Sequence, residues 1–300
     1  SFFQTQSAIA HPQKSADILS ELKDSEKIGE TKDGKEIYLY DYTDDSVVLK
    51  ELGRLRELSF RKVGEGINKK RDTDKYDIYY QHIILWDKND LEIVGSYRIG
   101  NSNFIYNEIG IKGFYSNSLF KFNDDFLPYL ENSIELGRSF VQPKYWGTRA
   151  LDYLWYGIGA YLKKNPHIKY MFGPVSMSAS FPKVAKDMMV YFYSHYFKPE
   201  KNLVTASLPY QYSNTVNDIK DMFFLNDKKQ DFKLLKSTLS NMNCAVPTLY
   251  KQYSEITKDG GVKFCDFNVD KDFADCVDGF LLVEVDKIKD SARKRYIDKD

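Results

Sequence analysis

A chain of 300 residues with 43 basic and 43 acidic side chains carries no net charge, which removes any global attraction to nucleic acid. Hydrophobic residues at 42% and charged ones at 29% describe a globular chain able to bury a sizeable core, and no apolar run approaches the ~18 residues that cross a bilayer. Cys244, Cys265 and Cys276 are odd in number and lack CxxC spacing, so neither a disulfide framework nor a metal site is expected and a reducing cytoplasm is the natural compartment.

Residues 1–35 are polar and mixed in charge and read as connector around a short helix near 15–23. Residues 36–42 alternate as a strand. Asp44-Asp45-Ser46 offers an N-cap to a helix with Val48, Leu52, Leu55 and Leu58 on one face, ending near Gly64-Glu65-Gly66. A charged loop over 67–79 precedes a hairpin, 82–86 and 91–99, that turns at Lys88-Asn89-Asp90. Residues 100–130 are aromatic and irregular and read as a lid or wall. Then follow a strand over 133–142, a helix over 146–164, a strand over 170–175 and a helix over 181–196. Residues 200–262 are helical and less regular, and strands near 262–268 and 279–285 close the pattern. The spacing predicts an α/β fold with a mixed sheet.

The segment Glu135-Leu136-Gly137-Arg138-Ser139-Phe140-Val141-Gln142-Pro143 carries an acid and an arginine in an apolar strand that feeds a helix, a common place for an active site. Strand alternation puts Glu135 and Arg138 on opposite faces, so they pair only if the strand is bulged. Upstream, Asp72, Asp74 and Asp77 crowd one loop and repel one another unless they meet a cation. Arg56, Arg98 and Arg138 are the candidate partners, and a guanidinium grips a carboxylate with two parallel bonds. A solvated loop balanced by Lys69, Lys70, Arg71 and Lys75 is the plainer alternative. The EF-hand glycine and terminal glutamate are absent, which disfavours a Ca²⁺ loop. His82-x4-Asp87 is set aside as a dyad, because positions five apart in a strand face opposite sides. His82 is expected near the acidic loop or simply buried.

ELGRSFV, with Leu55-Arg56, Phe60, Asp72 to Asp77, His82, Val94 to Arg98, Phe172-Gly173-Pro174-Val175-Ser176, Val246 to Tyr250 and Asp266-Phe267-Asn268, resembles the GNAT superfamily. The group is that of ornithine-lipid-type, hemolysin-like N-acyltransferases, kin to the acyl-homoserine-lactone synthases. The resemblance spans roughly residues 36–290. It implies a centrally splayed sheet for 36–300, with 200–262 as a helical extension and 1–35 as linker or the remnant of a fused O-acyltransferase domain.

By the same resemblance, a long acyl chain, plain or 3-hydroxylated, would pass from acyl carrier protein to the amine of ornithine or glycine, giving a lyso-aminolipid at the inner face of the membrane. The donor would lie along the backbone of Phe140, Val141 and Gln142, with its phosphate at the turn Gly147-Thr148-Arg149. That turn departs from the Gly-rich pyrophosphate cradle, which suits the single phosphodiester of a carrier protein and leaves acyl-CoA as the other donor. No bound cofactor is expected. Glu135 would act as general base through water or bind the incoming ammonium, with a structural ion pair as the alternative. Asp74, Asp77 and Arg138 would complete the catalytic set, and Arg56, Arg98, Asp72 and His82 would hold the acceptor. The competing reading is a non-catalytic carrier-binding or lipid-binding module that regulates a partner acyltransferase.

Overall fold

The computed structural model describes residues 5–213 and 215–299. In chain order the elements are α1 (Ser15–Lys23), β1 (Glu26–Glu30), β2 (Lys35–Tyr40), α2 (Val47–Lys62), β3 (Gln81–Asp87), β4 (Glu92–Asn101), α3 (Ser102–Glu108), β5 (Phe120–Phe122) and β6 (Ser133–Val141). There follow α4 (Ala150–Lys164), β7 (Tyr170–Met177), α5 (Lys183–Tyr196), β8 (Val204–Ala206), α6 (Val216–Lys220), α7 (Lys228–Asn241), α8 (Thr248–Glu255), β9 (Val262–Asp270) and β10 (Cys276–Glu284).

The main sheet runs β1-β2-β3-β4-β6-β7-β10-β9, antiparallel throughout except for the parallel pair β6·β7. The mixed α/β architecture is therefore the expected one. Residues 24–35, read from the sequence as connector, instead supply β1, which pairs with β2 and caps that edge; residues 1–4 lie outside the described part. The strand Glu26-Lys-Ile-Gly-Glu30 escapes notice because an edge strand needs little apolar content. The helix after β6 begins at Ala150 rather than 146, because Gly147 turns the chain at φ +77°.

Alternation along the strands sorts side chains onto two faces. Ile83, Leu85, Tyr97, Ile99, Leu136, Val175 and Leu281 face α4, α5 and α8 in the largest apolar cluster. On the other face α1 and α2 cover Tyr38, Ile84 and Trp86 near one end of the sheet. At the other end Phe114, Phe120, Phe122 and Phe126 pack on Phe172 and Phe280. The 100–130 segment is thus a wall, stapled by the short ladder β5·β8, rather than a loose lid. Between these two clusters, on the same face, lie the charged residues of the site.

Parallel pairing of β6 with β7 covers only Ser133↔Tyr170, Ile134↔Met171 and Glu135↔Phe172 among the described residues. Beyond it β6 stays with β4 and β7 stays with β10, so the sheet opens into a V. Gly173 sits at the apex with φ +154°, and a Cβ there would lie 2.1 Å from the Leu136 carbonyl oxygen. Substitution Gly173→Ala is expected to destabilise the protein by about 1–3 kcal/mol through overpacking and strain. Urea unfolding monitored by circular dichroism checks this; an unchanged midpoint contradicts the close approach.

Candidate active site

Strand β6 is bulged where the V opens. Gly137 pairs with Arg98 and Phe140 with Ser96, so Arg138 and Ser139 together oppose the single residue Tyr97. Arg138 takes up the extra length in the left-handed region at φ +46°. The bulge re-aims the strand: Leu136 faces the α4 side, whereas Phe140 joins the cluster under α2.

The three arginines and three aspartates singled out in the sequence meet in one buried lattice. Arg56 donates from Nη1 to both oxygens of Asp77, at 2.9 and 3.1 Å, and to the Asp72 carbonyl at 3.2 Å. Arg98 Nη1 reaches Asp74 at 2.7 Å and Asp77 at 3.0 Å. Arg138 pairs with Asp72 and Asp74, each at 3.2 Å. Three arginines thus meet three aspartates, although burial still raises the Asp72 carboxyl against the pull of Arg138 and Arg56. Burial alone would raise the Asp77 carboxyl, but Arg56 and then Arg98 hold it well below the usual range. The plainer sequence alternative, a solvated loop, does not apply, since Asp72 and Asp77 are buried.

His82 Nε2 lies 2.9 Å from the Arg56 guanidinium and 3.2 Å from Asp77, and burial lowers its pKa. Asp87 sits at the far end of β3, capping the turn amides of Asn89 and Asp90, so the two residues form no dyad.

Glu135 does not pair with Arg138 despite the bulge. Its carboxylate accepts the Tyr80 hydroxyl and the backbone N–H groups of Tyr115 (3.2 Å) and Ser116 (2.9 Å). Burial pushes it up, and the Ser116 and Tyr80 bonds oppose that. It anchors the aromatic wall to the sheet and lies outside the lining of the V.

Two spaces occupy the V. The inner one is a cavity of about 80 Å³ with Tyr97, Arg138 and Ser139 on one side and Asp270, Cys276 and Asp278 on the other. The outer one is a groove of about 350 Å³ whose walls include Val63, Val141, Trp146, Met177, Phe181 and Leu249. Phe60, Glu65, Ser139, Ser176 and Leu249 border both, so the two spaces join. The groove continues past Trp146 to Gly147 and Thr148 at the N-terminus of α4.

The inner cavity is acidic. Glu65 accepts the Ser176 hydroxyl at 2.9 Å, and burial raises its pKa to about 7. Burial, then the neighbouring Asp270 and Glu65 carboxylates, push Asp278 well up. Asp270, Cys276 and Asp278 bring one donor atom each within 4.8 Å of one another. The Arg138 guanidinium already faces both acids and supplies the opposing charge that a metal would otherwise bring.

Glu65, Asp270 and Asp278 were not singled out in the sequence. Glu65 is a lone acid whose Gly-Glu-Gly setting hinted at a special backbone, whereas Asp270 and Asp278 bound an acid-rich run that also contains Asp272 and Asp275.

Of the expected donor contacts, the Gln142 N–H is already taken by the Val94 carbonyl at 2.9 Å, and its side chain holds Ile93. The Val141 carbonyl accepts the indole N–H of the exposed Trp146 at 2.7 Å. Phe140 and Val141 do line the groove, as do Gly147 and Thr148. Arg149 points to Asp152 and Tyr156. Lys144 is paired with Asp90 and Glu92, Lys163 with the Lys299 carbonyl and Lys164 with Glu26. Tyr191, Phe192, Tyr193 and Phe223 belong to the core, away from both spaces.

Removing one charge from the lattice strands its partners. Substitution Asp77→Asn is expected to cost about 3–5 kcal/mol, because Arg56 and Arg98 would remain buried with one carboxylate fewer. Chemical denaturation measures it, and a cost below about 1 kcal/mol would refute the buried lattice.

Comparison with known proteins bears on the V directly. Residues 55–156 match the family model described as acetyltransferase (GNAT) domain, a range that includes the second half of α2, the acidic loop, the bulge and the start of α4. A glycine Nα-acyltransferase of Phocaeicola vulgatus is 31% identical over 94% of this chain and 90% of its own length. One of Bacteroides thetaiotaomicron is 31% identical over 93% and 86%. An L-ornithine Nα-acyltransferase of Brucella abortus is 27% identical over 80% and 78%. A solved CoA-dependent acyl-homoserine lactone synthase superposes with a TM-score of 0.24 at 14% identity, over 40% of this chain and 56% of that one, too loosely to bear on the argument. With a bulged, opened β-sheet of the GNAT kind and relatives of this identity along nearly its whole length, the chain belongs to the GNAT N-acyltransferase family that includes the glycine and ornithine Nα-acyltransferases, and it is an acyltransferase.

Proposed function

We propose that this enzyme moves a long fatty acyl chain, plain or 3-hydroxylated, from a carrier-protein thioester to the amine of glycine, producing an N-acylglycine lyso-lipid. The observation that carries the reading is the junction of two chemically opposite spaces at Ser139 and Glu65. An apolar groove meets a small acidic cavity at a bulged strand edge. Aminolysis of a thioester asks for that arrangement, since the enzyme must align an apolar donor with a cationic amine and remove protons.

The size of the inner cavity favours glycine over ornithine. At about 80 Å³ it is the smaller of the two joined spaces, which suits the smallest amino acid. Its charge agrees. Glu65, Asp270 and Asp278 would meet the ammonium, and Arg138 is the one cation among the lining residues for the acceptor's carboxylate. Asp72 and Asp74 hold Arg138 from behind, while Asp77, Arg56, Arg98 and His82 stiffen the loop that carries them. In this reading Glu135 positions the Tyr115 wall of the cavity rather than meeting the amine. The groove would take pantetheine along Phe140 and Val141, with a single phosphate at the α4 N-terminus beside Gly147 and Thr148. Absence of a Gly-rich pyrophosphate turn supports the carrier protein as donor, with acyl-CoA as the competitor.

Incubation with palmitoyl and 3-hydroxypalmitoyl carrier protein, and with the matching CoA thioesters, against glycine and ornithine is read by mass spectrometry. N-acylglycine is expected, with kcat/KM for ornithine at least about tenfold lower, the selectivity of one mismatched contact. Equal use of ornithine overturns the acceptor, and no N-acyl product from any pair overturns the reaction.

A donor laid on β6 would compete with the Trp146 indole for the Val141 carbonyl. Trp146→Phe removes that competitor and keeps the ring, so the donor KM should fall by about fivefold, the worth of one net hydrogen bond, with kcat unchanged. A higher KM would mean that the indole serves the donor.

A further inference from the structure

We propose that Glu65, held by Ser176 at the meeting point of cavity and groove, is the base that deprotonates the acceptor amine, and that Asp278 is the anchor on which that ammonium first docks. This rests on the amide-forming reading above and assigns roles to residues outside the ELGR strand and the acidic loop.

Geometry selects Glu65. Among the titratable residues bordering the inner cavity, it alone also borders the donor groove. A group that takes a proton from a nitrogen attacking a thioester has to stand where nitrogen and carbonyl meet. The other buried acids are committed. Glu135 accepts bonds from Tyr80, Tyr115 and Ser116, and Asp77 is clasped by two arginines. Glu65 Oε2 accepts the Ser176 hydroxyl, which fixes its orientation at the border of the two spaces.

Asp278 supplies the independent mark of a ligand. It is 5% exposed, it lines the cavity, its Oδ1 takes the Cys276 thiol at 3.9 Å, and its Oδ2 has no conventional hydrogen-bond donor, with only the Asp270 carboxyl beside it. An unpartnered buried carboxylate oxygen is costly, and an ammonium with three N–H donors would satisfy it. Cross-strand register sets Asp278 opposite Ser176, so anchor and base face the same point.

The protons balance as follows. An ammonium nitrogen carries three and an amide nitrogen keeps one. The Glu65 carboxylate takes the first and returns it to solvent through the groove. The free amine adds to the thioester carbonyl carbon, forming the C–N bond. As the intermediate collapses the C–S bond breaks, its electron pair leaves on sulfur, and the second nitrogen proton passes to that thiolate. Amide, thiol and one released proton result.

Burial and the charges around the cavity, the Tyr115 hydroxyl among its lining groups, agree with the placement. Tyr97 on β4, Arg138 on β6, Tyr253 on α8, Asp270 at the end of β9 and Cys276 and Asp278 on β10 face the same space, and burial holds Glu65 at about 7. The base form is the carboxylate, so kcat/KM for glycine should fall as pH drops through about 7. The sign for stability is opposite. A carboxyl with a raised folded-state pKa lends stability below its unfolded pKa and loses it as pH rises through about 7, so neutralising it stabilises the protein above that pH.

The experiment uses Glu65→Gln in the full chain with glycine and whichever acyl thioester the wild type consumes. Expected are a kcat about 100-fold lower with the donor KM unchanged, loss of the acidic limb near pH 7, and a Tm at pH 8 equal to or above wild type. Asp278→Asn should raise the KM for glycine about tenfold or more. Undiminished turnover in E65Q, or a limb that persists, overturns the assignment, and a lowered Tm at pH 8 marks Glu65 as structural.

Aminooxyacetate supplies a test on unmodified enzyme, should the variant fail to fold. Its amine is already uncharged at neutral pH, so the limb seen with glycine should vanish, and its persistence counts against the base. Wild-type protein inert toward every acyl thioester overturns both readings, whereas active wild type with equally active E65Q overturns this one alone.

Discussion

The Arg138 side chain is the tie on which the arrangement depends. Its backbone absorbs the bulge of β6, and its guanidinium sits 4.6 Å from the Tyr115 ring centroid and 4.4 Å from that of Phe273 while pairing with Asp72 and Asp74. One residue therefore links the acidic loop, the aromatic wall and the turn between β9 and β10 across the mouth of the V. A left-handed backbone at a non-glycine residue persists only where its surroundings over-determine it, and two carboxylates with two rings do so here. Without that tie the opening of β6 from β7 would have no fixed width.

Acids with different partners lie on the two sides of Arg138, though burial also raises the lattice acid Asp72. The lattice acids Asp74 and Asp77 meet arginines at hydrogen-bond distance and are held ionised. Across Arg138, the cavity acids Glu65, Asp270 and Asp278 are pushed up, by burial first and foremost. The difference is stoichiometric. Three arginines are consumed by three aspartates, and only Arg138 also faces the cavity. A surplus of buried carboxylate is destabilising by itself, and a site that binds a cation is where such a surplus is found.

How much of this the sequence disclosed follows the same line. Asp72, Asp74, Asp77, Arg56, Arg98 and Arg138 are legible as a set because unlike charges in apolar segments demand partners. Which arginine meets which aspartate depends on the stacking of α2, the loop and β4, information that no spacing rule carries. The order of strands and helices from 36 to 196 could be read because hydrophobic period changes clearly between elements. Strand β1 could not, being a polar edge, nor could the insertion of β10 between β7 and β9. Glu65 and Asp278 were illegible for a simpler reason: an acid after a helix and an acid in a strand are ordinary until the fold turns them toward one cavity. The strand that looked catalytic contributes its bulge and Arg138, while its glutamate braces a wall.

Placement of the acyl chain can be argued from volume and surface. An inner cavity of about 80 Å³ admits no fatty chain, and beyond it the same face of the sheet is filled by the packed rings of Phe114, Phe122, Phe126, Phe172 and Phe280. Under the proposed function the chain therefore lies in the outer groove, against Val63, Met177, Phe181 and Leu249. There each methylene removed from water contributes about 0.8 kcal/mol, so chain length sets donor affinity while the cavity sets acceptor choice. Remote apolar binding of that kind can be spent on holding the thioester carbon at the bulge, which a short acyl group could not do. No helix among the described residues is long and apolar enough to cross a membrane. The exposed faces of Val63 and Trp146 at the groove's rim are then where the apolar product would first meet its destination, so product release and donor entry share one mouth.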